Sequence, residues 1–158
     1  MKENIIASIT LDTFITYQNG NLLTSFMKDI NVDNENIDLT PFSKTKIYSK
    51  IDPKNKEQLL YFKKIVVSFK NFITFLRDPT SIIDYTYLWD IICRPNPAIF
   101  AQGINLVILE IPEDDTTNNV ELICPTNHYS NEYYEARKQT LILMHKGEFF
   151  EPLYSYRN

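Results

Sequence analysis

This chain of 158 residues is short of the residues that build common catalytic and cofactor sites. It has three glycines, two cysteines, two histidines and one tryptophan. There is no glycine-rich phosphate loop, no GxSxG and no HExxH, so the usual nucleotide-binding, nucleophile-elbow and zinc-protease signatures are excluded. Cys93 and Cys124 form no CxxC pair. With two histidines they make a poor zinc set, and they fit a reduced, intracellular compartment. No apolar run approaches the ~18 residues of a membrane span. The N-terminus lacks a basic stretch followed by an apolar one, so no signal peptide is expected. Basic residues are scattered and the net charge is −4, which argues against a general nucleic-acid binder.

What the chain does have is core-forming bulk. Ten Phe and ten Tyr bring the apolar share to 44%, too hydrophobic for disorder, and the length suits one domain over 1–158, whole or an excerpt of a longer protein. Residues Ile9 to Tyr17 are rich in β-formers and read as a strand. Asn19-Gly20 is a turn, followed by a short helix from Leu22 to about Asp29. Residues 31–50 read as a polar loop. Asp52-Pro53 can cap and open a long helix. Its stripe is Leu59, Phe62, Ile65, Val66, Phe69, Phe72, Ile73 and Leu76. A second helix is predicted over Ile83 to Cys93, stopped by Arg94-Pro95. The period then changes. Ile104 to Leu109 and Val120 to Cys124 read as strands, and Thr140 to His145 with Glu148 to Tyr156 as a hairpin around Lys146-Gly147. Helices first and a mainly antiparallel sheet last define an α+β class.

One stretch carries a resemblance. Gln18-Asn19-Gly20-Asn21-Leu22-Leu23, leading into a helix, resembles the nucleophile loop of the ovarian-tumour (OTU) family of cysteine proteases, which reads Asp-Gly-Asn-Cys-Leu-Phe. Gly20, Asn21 and Leu23 match. The family's Asp is Asn19 here and its nucleophilic Cys is Leu22. The final hairpin, Leu141 to Met144 and then Glu148 to Leu153, is similar to the family's last two strands. In that register the catalytic His falls on Phe149 and the residue that orients it on Glu151. Neither Leu22 nor Phe149 can exchange a proton or attack a carbonyl. The resemblance therefore implies a papain-like, OTU-like fold without its chemistry, with N-terminal helices packed on the sheet. Similar domains occur in large proteins of big DNA viruses, so host cytoplasm or virion is the implied location. The implied partner is a protein, ubiquitin or a related one, bound or scaffolded without a cofactor. Leu22 and Phe149 are expected to be neighbours and buried.

The alternative is an active deubiquitinase using a displaced Cys–His pair drawn from His145, Cys93 and Cys124. Neither cysteine stands at a helix N-terminus, where a thiolate would be stabilised. His145 reads as a turn histidine and His128 as a loop one. Glu110 and Glu121, on adjacent strands, could chelate a metal as in nucleases, but no Lys follows either by two residues. Asp114-Asp115 reads as solvated loop. The surfaces expected to meet a partner are Glu113 to Asn119 and Tyr129 to Tyr134.

Overall fold

The computed structural model describes residues 2–33, 36–83, 85–112, 119–123 and 135–153, and of Leu88 the backbone alone. The chain divides into two compact units, Met1–Ile83 and Asp84–Asn158. Helices occupy the first; one helix and a four-stranded mixed sheet occupy the second, an α+β composition.

The first unit holds α1 (Lys2–Ser8), α2 (Leu11–Phe14), α3 (Asn21–Met27) and α4 (Lys56–Arg77). The strand expected over Ile9 to Tyr17 is not formed: α2 lies inside it. Local polar chemistry outweighs β-propensity there. Thr10 Oγ1 accepts from the Thr13 backbone N–H at 3.2 Å, and Thr13 Oγ1 accepts from the Thr10 N–H at 3.0 Å. This reciprocal box satisfies two amides that a helix start would otherwise strand. The start of α4 differs from the expected Asp52-Pro53 for a related reason. Asn55 Oδ1 accepts from the Glu57 and Gln58 amides and is the cap. Asp52 accepts from Lys54 N–H instead, and its own amide donates to Gln58 Oε1. The apolar stripe of α4 is as the spacing predicts. Phe62, Ile65, Val66, Phe72 and Leu76 are buried, and Leu59, Phe69 and Ile73 are half-buried. Phe14 lies against Phe72 and Phe69 with ring centroids 5.2 and 5.7 Å away, and Phe26 meets Phe72 at 5.2 Å. Each such pair adds roughly 0.5–1.5 kcal/mol beyond area burial.

The second unit holds α5 (Tyr85–Ile92) and strands β1 (Ile104–Ile111), β2 (Glu121–Ile123), β3 (Gln139–Lys146) and β4 (Phe149–Pro152), in the order β2-β1-β3-β4. The edge pairings are antiparallel, as expected. The long central pairing of β1 with β3 is parallel, so the sheet is mixed rather than mainly antiparallel. A parallel neighbour requires the chain to cross over before pairing, and the turn chemistry of residues 112–138 does not reveal which strand it returns to. Asn105 ties down that return. Its Nδ2 donates to the Glu135 carbonyl at 2.9 Å and to Thr140 Oγ1 at 3.1 Å, and its Oδ1 accepts from the Glu135 N–H at 3.1 Å.

Strand alternation sorts side chains between two faces. Ile104, Leu106 and Ile108 of β1 are buried against Trp89 of α5, with Ile123 and Leu143 packed beside them. Val107, Leu109 and Ile111 point the other way. On β4, the Leu153 N–H donates to the Ile142 carbonyl at 2.9 Å. Backbone groups alternate in direction, so Phe150 and Pro152 are the outward positions of this edge strand. Pro152 has no N–H to offer there, which blunts the edge.

The chain enters β1 through a tight contact. Gly103 has φ +73°, and a Cβ on it would come 2.2 Å from the Cys93 carbonyl oxygen. Lys138 Nζ donates to that same oxygen at 3.2 Å. Gly20 also has positive φ, at +89°, but its nearest neighbour to an added Cβ is 3.8 Å away. Gly20→Ala should therefore cost only the left-handed conformation, about 1–2 kcal/mol. Gly103→Ala should add a backbone collision and cost roughly 3 kcal/mol or more. Urea denaturation followed by far-UV circular dichroism compares the two; equal losses would mean that the Cys93 approach is not tight.

Candidate functional site

The expected loop before α3 has an unusual backbone. Gln18, Asn19 and Gly20 follow one another in the left-handed region, with φ of 51°, 55° and 89°. Two of the three carry a Cβ, so the turn holds strain of about 1–2 kcal/mol at each. It delivers Leu22 to the first turn of α3, where the side chain is 2% exposed, in the core of the first unit. Asn19, at the family's Asp position, is exposed.

Phe149 differs from expectation. It is 76% exposed rather than buried. It opens the edge strand β4 and shares a face with Glu151, opposite the face that α5 covers. Two adjacent phenylalanines on a strand cannot both turn inward, and Phe150 takes the helix-covered side. Leu22 and Phe149 also belong to different units. An open groove of about 1080 Å³ is lined by Glu110, Met144, Lys146, Gly147, Glu148, Phe149 and Glu151.

The sheet register assembles a different constellation. Glu110 pairs with Glu121 on one side and with His145 on the other, and His145 pairs with Phe150. The four side chains form one row on the α5 side of the sheet. His145 donates from Nδ1 to Oε2 of Glu110. Its ring stacks on Phe150 with centroids 4.0 Å apart and planes 9° from parallel. The His145–Phe150 position is a non-hydrogen-bonded antiparallel pair, which brings side chains close. Phe150 in turn meets Tyr85 of α5, edge to face, at 6.3 Å. His145 is thus held by a carboxylate and an aromatic face, and is more than a turn residue. A carboxylate that orients an imidazole is half of an acid–base site; the other half is a nucleophile.

Cys93 is not that nucleophile. Burial pushes its thiol up to about 11, against the lowering influence of a hydrogen bond from the Leu106 backbone and of Lys138. It lies at the Leu106 level of β1, and His145 at the Glu110 level. Four residues of strand separate the two levels by about 13 Å. Cys124, His128, Asp114, Asp115, the loop Glu113 to Asn118 and the segment Tyr129 to Tyr134 lie outside the described residues. Glu110 and Glu121 sit side by side, but among the described residues no three His, Cys, Asp or Glu side chains converge as metal ligands. No helix among them is long and apolar enough to cross a membrane.

The expected burial of Leu22 is observed, and Cys93 packs with Ile92 on the Trp89 cluster. Glu110–His145 was missed because it depends on the parallel register; the strand-end positions of both residues were the available signal. Comparisons with known protein families, with curated proteins and with solved structures found no match.

Two outcomes follow. Leu22→Ala should destabilise the protein by about 2–5 kcal/mol, while Phe149→Ala, measured at a concentration where the chain is monomeric, should stay within about 0.5 kcal/mol. Chemical denaturation of both variants checks this; comparable losses would place Phe149 in a core after all. In a Cys124→Ser background, Cys93 should resist iodoacetamide at pH 8, where a thiol titrating near 11 is about one part in a thousand thiolate. Labelling should rise as the pH climbs toward 11, because the thiolate forms in that direction. Rapid modification at pH 8 would mean that the thiol is neither buried nor raised.

Proposed function

We propose that this chain is a non-catalytic module, OTU-like in descent, that binds or scaffolds a protein such as ubiquitin or a relative of it. The observation that carries the reading is the fate of position 22. The Asn-Gly-Asn turn and the helix after it are retained, while the side chain at the nucleophile position is an aliphatic one packed to 2% exposure. A buried Leu contributes to core packing where a reactive thiol would have to stay accessible. The exposed Phe149 at the other degenerate position is consistent with a surface kept for contact rather than for proton transfer. Of the displaced Cys–His pairs, the one that uses Cys93 is less well supported, since Cys93 is raised to about 11 and sits at the other end of the sheet from His145.

The test pairs reactivity with binding. The protein should not react with ubiquitin vinyl sulfone. Isotope-edited NMR of ubiquitin titrated with the protein should show localised shift changes that survive Leu22→Met, a substitution that conserves core volume. Covalent capture by the probe would establish a working nucleophile and remove the non-catalytic reading. Absence of any shift at millimolar protein would remove ubiquitin as the partner.

A further inference from the structure

The sheet of the second unit has one face that its helix does not cover. Val107, Leu109, Leu122, Ile142, Met144 and Phe149 lie on it, half-buried or exposed, while α5 packs on the other. The geometry points to a second copy of this chain as the occupant of that face. This inference goes beyond the function proposed above and does not depend on it.

Three observations favour a second copy over other occupants. The first is the charge pattern. Lys146 is in register with Phe149, and Glu151 with Met144, so the four form a cell with opposite charges on one diagonal and apolar side chains on the other. A two-fold axis lying in the interface along the Met144–Phe149 diagonal sets each Lys146 opposite Glu151 of the second copy. A self-complementary patch of this kind is what an isologous dimer requires. The second is the apolar pattern. Continued down the sheet, the same diagonal passes through Val107, because Val107 is in register with Ile142 and Leu109 with Met144. The axis then sets Leu109 of one copy over Ile142 of the other. Sheets related in this way cross steeply, which is the orthogonal mode of sheet packing. The third concerns the edges. Pro152 blunts β4, and β2 is three residues long, so strand addition at either edge is disfavoured relative to packing on the face.

Sedimentation equilibrium of the full chain at micromolar concentration tests the pairing. The parent should have the mass of a dimer. Lys146→Glu and Glu151→Lys should each weaken dimerisation at least about tenfold, since each sets like charges opposite one another. Both substitutions in one chain should restore it, as should an equimolar mixture of the two single variants. Both side chains are exposed, so circular dichroism should be unchanged. A monomeric parent overturns the inference. So does a dimer that ignores the single reversals, or one that the double exchange fails to rescue.

Discussion

The second unit depends on the parallel pairing of β1 with β3. Eight consecutive residue pairs lie in that register, from Ile104 with Gln139 to Ile111 with Lys146. A shift by one residue would send Ile104, Leu106 and Ile108 to the wrong face and strip Trp89 of its packing partners. The same register sets Glu110 beside His145. Asn105 holds it at one end through hydrogen bonds to the returning chain, and the Glu110–His145 bond holds it at the other. Both ends are therefore polar clamps around an apolar middle. Removing a partner from either would leave a partly buried polar group unsatisfied, a cost of about 1–3 kcal/mol.

Much of the architecture was legible in the sequence. The period of α4 was visible over about five turns because its apolar positions from Leu59 to Leu76 recur mostly at spacings of three and four. The strands β1 and β3 and the turn at Gly147 were visible because apolar runs stop at Gly and Pro. What was not legible were choices between nearby polar residues. Asn55 and Asp52 can both cap a helix, and only the reach of Gln58 back to the Asp52 amide decides between them. Thr10 and Thr13 are β-formers by propensity but make a capping box three residues apart. Strand order was also hidden, since alternation tells which face a residue takes and not which strand lies beside it. Phe149 was placed in a core by analogy of position, although its neighbour Phe150 competes for the same side.

The candidate site was legible only as a set of separate residues. Leu22 lies in the first turn of the short helix that was expected there, and its burial follows from the apolar side of that helix. His145 and Glu110 were each noticed at strand ends, 35 residues apart, and their meeting rests on the crossover between them. Among the described residues, the histidine is held by a carboxylate and an aromatic ring, the half-buried thiol is raised to about 11, and the left-handed turn before α3 leads to a packed Leu.

The 35-residue gap across the central ladder also has a cost in time. A ribosome adds roughly 5–20 residues each second, so β1 emerges on the order of 2–7 s before the strand that completes it. During that interval Ile104–Ile111, with one charge in eight residues, has only the short β2 to pair with. Such a segment is prone to pair with whatever strand is nearest, including the same segment on a neighbouring nascent chain. Yield of this protein in a cell should thus be set less by the stability of its finished sheet than by what shelters β1 while the rest is made.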